Sequence, residues 1–177
     1  MSCLRVSGGW GARPWAGPYR PWLCNAGSLT ARIAARCREL RVRLVRQAWL
    51  APHGDERAVL GLRRGERAWV REVLLLADGV PVVFAHSVLP RENARGPWRL
   101  VAGMGTRPLG AALFADPRVA RTPLEFRRVD RRHALWQGAA CAVGATLPVL
   151  WARRSRFCLQ GRPLLVSEVF LPEILSL

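Results

Sequence analysis

The stretch RAWVREVLLLADGVPVVFAHSVLP, residues 67–90, constrains the fold more than any other part of the chain. Two apolar runs rich in Val, Leu and Phe flank Asp78-Gly79, a pair that tolerates the left-handed backbone of a two-residue hairpin turn. Residues 67–76 and 82–89 are therefore expected to pair as antiparallel strands. Pro90, which has no N–H for a ladder, ends the second. A second hairpin is expected from 153–160 and 164–171 across Gly161-Arg162. Weaker strand patterns lie at 124–129 and at 41–50. In the latter, Val42, Leu44, Arg46 and Ala48 alternate with Arg41, Arg43, Val45 and Gln47.

Helical signals are fewer. Ser28 is a candidate N-cap, and Leu29, Ile33, Cys37 and Leu40 follow at helical spacing, which predicts about three turns. Residues 108–114 begin a short helix, and 52–56 form a polar break. The order of elements is α+β with antiparallel strands. The 177 residues suit one domain. We expect it to span residues 28–177, behind a loose Gly-, Pro- and Trp-containing arm at residues 1–27.

Every one of the 28 basic residues is Arg, and the net charge is +16. Such a surface attracts polyanions. The Arg residues are spread along the chain, however, and no helix-turn-helix, RNP or zinc-finger signature accompanies them. A compositional preference for Arg, Ala and Gly explains the charge without a specific nucleic-acid partner. The five Cys form no C-x-x-C and the three His share no ligand spacing. Neither a disulfide framework nor a metal site is expected. Residues 134–151 approach spanning length, but Gln137, two Gly and Pro148 interrupt them, so no membrane span is expected. A reducing cytoplasmic compartment and a monomer are the corresponding expectations.

Two charges interrupt the apolar strands. Strand alternation places Arg71 on one face with Trp69, Val73 and Leu75, and Glu168 with Leu164, Val166 and Phe170. A buried charge must be paired or change protonation. Arg71 and Glu168 either pair with each other, or face a pocket in which the guanidinium fork grips a carboxylate. A third arrangement turns both strands, so that Glu72 and Ser167 face inward. Gly103-Met104-Gly105 is too short for a phosphate loop, and no nucleophile elbow or Walker sequence is present. Asp78 and Asp130 suit a turn and the surface.

Three blocks resemble the chorismate pyruvate-lyase family: WVREVLLLADGVPVVFAHSVLP (69–90), GTRPLGAALF (105–114) and LWARRSRFCLQGRPLLVSEVFLP (150–172). They occur in the family's order, and the Ser28 helix falls in its place. The resemblance implies an antiparallel sheet flanked by helices around a buried ligand pocket. It also implies cleavage of chorismate to 4-hydroxybenzoate and pyruvate without a cofactor, as the first committed step of ubiquinone synthesis. Arg71 would hold the ring carboxylate, Glu168 would lie at the ring hydroxyl, and Leu109 would offer a backbone contact. The last contact falls on Leu29, where the family pattern has Met. Arg107 departs from the pattern's Thr, and residues 130–150 form a longer connection than the pattern has, as a helix, a lid or a loop.

Chorismate carries one carboxylate on its ring and one on its enolpyruvyl ether, so a second cation is useful. Arg153, Arg154 and Arg156 are candidates by position. The alternative is a non-catalytic aromatic-acid-binding module of the same fold, as used for effector sensing in bacterial regulators. The 27 residues ahead of Ser28 are too few for the DNA-binding domain such regulators carry.

Overall fold

The structure is a computed structural model and describes residues 9–177. Cys3 and the first eight residues of the expected arm lie outside them. Seven strands form one antiparallel sheet. In chain order they are β1 (Leu40–Leu50), β2 (Ala68–Ala77), β3 (Val80–Pro90), β4 (Ala120–Arg121), β5 (Glu125–Val129), β6 (Leu150–Leu159) and β7 (Arg162–Phe170). Their spatial order is β1-β2-β3-β7-β6-β4, with β5 also pairing along β6. The helices are α1 (Arg20–Leu23), α2 (Leu29–Ala34), α3 (Gly54–Leu60), α4 (Arg91–Arg95), α5 (Arg99–Ala102), α6 (Leu109–Ala115) and α7 (Ala134–Val143).

The two expected hairpins are both present, but the second turns at Gln160-Gly161 rather than Gly161-Arg162, since Leu159 pairs with Arg162. Asp78 and Gly79 take φ of 49° and 84°, and Gln160 and Gly161 take 51° and 75°, as two-residue turns with both central residues left-handed require. Strands β2, β3, β6 and β7 are covered on both faces, whereas the edge strand β1 has no buried residue. Helices α1, α2 and α4–α6 cover one, and α3, α7 and the Trp10 segment cover the other.

Four further expectations need correction. The α2 helix stops at Ala34, because Glu39 is held to Asp78 by two hydrogen bonds and Leu40 opens β1 opposite Ala77. Cys37 and Leu40 still pack against the cluster that contains Leu29 and Ile33, which is why the spacing looked helical. The polar break contains the start of α3, where the Glu56 carboxylate accepts from the His53 backbone N–H at 2.8 Å and opens the helix. Strand β1 has a one-residue irregularity between Leu44 and Arg46. It reverses the face parity, so Arg46 lies with Glu72 and not with Val42.

The fourth correction concerns the arm. From residue 9 onward it is packed into the domain. Trp10, Trp22 and Leu23 are buried, and Gly11 exchanges two backbone hydrogen bonds with Phe126. Three apolar anchors outweigh the Gly and Pro content that suggested looseness. Residues 130–150 contain α7, which lies on the face formed by Leu74, Phe84 and Val169. Gly138 permits that approach, since a Cβ there would come within 2.9 Å of the Phe84 ring.

Candidate active site

A small cavity opens between the sheet and the helices α2 and α6. Its floor follows from strand parity. Arg71, Val73 and Leu75 of β2, Ala85 and Ser87 of β3, Val166 and Glu168 of β7, and Arg153, Ser155 and Phe157 of β6 all point to it. Ladder partners run Arg71–Ser87–Val166–Ser155 in one row and Val73–Ala85–Glu168–Arg153 in the next. Arg71 and Glu168 are thus two strands and one row apart, roughly 12 Å between Cα atoms on standard sheet spacings. The small side chains of Ala85 and Ser87 lie between them, and this is where the space comes from.

Leu29 and Leu109 contribute to the roof as the first residues of α2 and α6, and both are buried. Ser28 caps α2 by accepting from the Ala31 N–H. The two helix starts meet at Gly110, where a Cβ would lie 2.9 Å from Thr30 Oγ1 and 3.5 Å from Ser28 Oγ. That contact gives the Pro-Leu-Gly sequence a steric reason.

All four sequence-derived residues, Leu29, Arg71, Leu109 and Glu168, therefore line one cavity. Arg71 and Glu168 do not pair. Arg71 is 2% exposed and donates to the carbonyls of Gly105 (3.1 and 2.8 Å) and Arg107 (2.9 Å). Gly105, at φ 54°, supplies the turn that the Gly-Met-Gly sequence marked without revealing its purpose. Burial pushes the Arg71 pKa down from the usual guanidinium value. Glu168 accepts from Arg153 Nε at 2.5 Å, and Arg153 Nη1 donates to the carbonyls of Trp22, Leu23 and Asn25. The segment expected to be loose thus supplies acceptors that anchor a cavity arginine.

Sequence reasoning missed Arg121. It lines the cavity from β4, donates to Ser155 Oγ at 2.7 Å and to the Ala26 carbonyl at 2.6 Å, and lies over Phe114 and Phe157. Burial pushes its pKa down, and Glu168 opposes that. Of the three arginines proposed by position, Arg154 and Arg156 point to the other face. Arg154 pairs there with Glu125 and Asp55, and Arg156 donates to the Val59 carbonyl.

That other face also gathers two of the histidines. His86 sits between Glu72 (3.0 Å) and Glu56 (3.1 Å) and stacks on His53 at 4.8 Å. Burial alone would lower its pKa; the two carboxylates overcome this and raise it to about 9. Burial raises the Glu72 pKa, but His86 and Arg46 prevail and hold it at about 2. The sequence showed no ligand spacing among the histidines, yet His53, Glu56 and His86 bring their ligand atoms within 4.8 Å of one another, close enough to share a metal ion. Protonated His86 already satisfies the charge of that cluster. The four described cysteines are free.

A family model described as chorismate lyase matches residues 16–176. The chain belongs to the chorismate lyase family. A probable chorismate pyruvate-lyase of Aromatoleum aromaticum is 62% identical over 160 residues, covering 89% of this chain and 86% of the relative. One from Thiobacillus denitrificans is 52% identical over 170 residues, covering 95% and 91%. Among solved structures, the effector domain of PhnF from Mycobacterium smegmatis aligns with a TM-score of 0.57 at 20% identity, over 84% of this chain and 91% of that one. This likeness shows the fold, an antiparallel sheet flanked by helices. Among the described residues, no helix of this chorismate lyase family chain is long and apolar enough to cross a membrane.

Proposed function

We propose that the chain is a chorismate pyruvate-lyase that releases 4-hydroxybenzoate and pyruvate, with Arg71, Glu168, Leu29 and Leu109 forming its ligand site. The observation that carries this reading is the convergence of Arg71 and Glu168 on one cavity without pairing. Arg71 spends Nε and Nη2 on carbonyl oxygens, which leave its charge unneutralised and its Nη1 donors available to a ring carboxylate. Glu168 is steadied by Arg153 through Oε2, which leaves Oε1 to accept from the ring hydroxyl. The first-turn N–H groups at Leu29 and Leu109 have no intrahelical partner and suit a backbone contact.

The reaction balances without a co-reactant. The ether C–O bond breaks, the hydrogen on the hydroxyl-bearing carbon leaves as a proton, and the C–H electron pair enters the ring. The departing enolpyruvate gains a proton and becomes pyruvate. Aromatisation drives the step, so the protein contributes orientation and charge stabilisation. The cavity measures about 40 Å³, room for about three waters, so a ring enters as the α2–α6 roof parts. A closing roof favours slow product release.

The test is incubation of the purified protein with chorismate, followed by assay for pyruvate and 4-hydroxybenzoate. Equal amounts of both support the reading. Binding of 4-hydroxybenzoate without turnover supports instead a non-catalytic aromatic-acid module, the use that the PhnF likeness makes the second candidate. Turnover of Glu168→Gln near wild type would remove proton transfer by Glu168 while leaving its hydrogen bond. Loss of about 10²-fold or more is expected if the carboxylate moves a proton.

A further inference from the structure

Three guanidiniums line the cavity, and one carboxylate faces them. Arg153 is matched by Glu168. Arg71 and Arg121 have no carboxylate within ion-pair distance among the described residues. Two unmatched positive charges complement a dianion, and chorismate has two carboxylates. Arg71 accounts for the one on the ring. We propose that Arg121 anchors the second carboxylate, on the enolpyruvyl ether; this assignment rests on the reading of the cavity as a chorismate site.

The local structure favours that task. Arg121 donates Nε to Ser155 Oγ and Nη1 to the Ala26 carbonyl, and no hydrogen bond among the described residues uses Nη2. Its guanidinium carbon lies 5.4 Å and 5.1 Å from the ring centres of Phe114 and Phe157, both of which also line the cavity. The group is therefore held in place before ligand arrives, and little rotamer freedom remains to be lost on binding. Neighbouring apolar rings strengthen its interaction with an anion. The ether oxygen that receives the C–O electron pair is attached to the carbon that bears this carboxylate. A cation at the carboxylate thus stands beside the charge that develops during cleavage.

The substrate and the retained product differ in the carboxylate assigned to Arg121, since 4-hydroxybenzoate keeps only the ring carboxylate. The experiment compares wild type, Arg121→Gln and Arg121→Lys in chorismate turnover and in calorimetric binding of 4-hydroxybenzoate. We expect Arg121→Gln to lower kcat/KM for chorismate by about 30-fold or more. Affinity for 4-hydroxybenzoate should stay within about threefold of wild type, and Arg121→Lys should recover part of the lost turnover. If Arg121→Gln does not fold, Arg121→Lys carries the test through a raised KM with product affinity kept. Parallel loss of product affinity would make Arg121 a structural support, and unchanged chorismate kinetics would remove it from the site; either overturns the assignment. An inert wild type overturns the reading of the cavity itself, and the assignment with it.

Discussion

Along one rung of the face covered by α3 and α7, three cations meet four carboxylates. One rung of the sheet carries Arg46, Glu72, His86, Ser167, Arg154 and Glu125 from strand to strand. Glu56 and Asp55 reach it from α3, and Trp10 stacks over Arg154 at 4.4 Å. On the face beneath α2 and α6, three guanidiniums meet Glu168 alone, across a floor of small side chains. Both faces bury charge in one sheet, at neighbouring positions of the same strands. The first is an ion network in which Arg46, His86 and Arg154 each have a carboxylate within ion-pair distance, and its loss destabilises the fold. The second leaves positive charge unmatched and a space beside it, which is what a binding site for an anion requires. Burial of charge alone does not distinguish structure from function; the balance of charge on each face does.

The largest expected effect lies on the cavity face. Arg71→Ala should lower kcat/KM for chorismate by about 100-fold or more while shifting Tm by only a few degrees. A large Tm loss with normal kinetics of the folded fraction would place Arg71 with the structural charges. Next comes the opposite face. Glu72→Gln leaves His86 and Arg46 short of a carboxylate and should cost about 3 kcal/mol. In a domain of this size that lowers Tm by roughly 6–12 °C, with kcat/KM of the folded protein unchanged.

A smaller effect follows from pH. The His86 pKa is raised from 6.5 to about 9 on folding. Its contribution is therefore complete below pH 6.5 and is lost as pH rises through about 9. Glu72 falls from 4.5 to about 2, so its contribution is complete above pH 4.5 and is lost as pH falls towards 2. Tm should be highest between these limits, and the alkaline decline should be shallower in His86→Gln. The same decline in wild type and His86→Gln would break the link to this histidine. The smallest effect tests α7. Gly138→Ala pushes a methyl against Phe84 and should cost about 1–2 kcal/mol without altering product affinity, as measured by thermal melting and calorimetry.

The sequence made the hairpins legible because Asp78-Gly79 and Gly161 leave few alternatives for the backbone, although the second turn falls at Gln160-Gly161, one residue before the pair expected. It also gave Arg71 and Glu168, because a charge in an apolar strand stands out. Alternation could not say which face mattered, since β2 is buried almost throughout and Glu72 is as enclosed as Arg71. The irregularity that carries Arg46 over to Glu72 has no composition signal. Arg121 was hidden for another reason. It lies in a two-residue strand, too short for any periodicity, and its importance arises from contacts 34 and 95 residues distant in sequence. The Trp10–Ala26 region reads as loose because its Gly and Pro content masks the anchoring of Trp10 and Trp22.

Calorimetric titration of 4-hydroxybenzoate into wild type, Arg71→Ala and Glu72→Gln tests the contrast between the two faces most directly. The account predicts at least about 30-fold weaker binding in Arg71→Ala and wild-type affinity in Glu72→Gln. Equal affinity in wild type and Arg71→Ala, or a loss confined to Glu72→Gln, would contradict it.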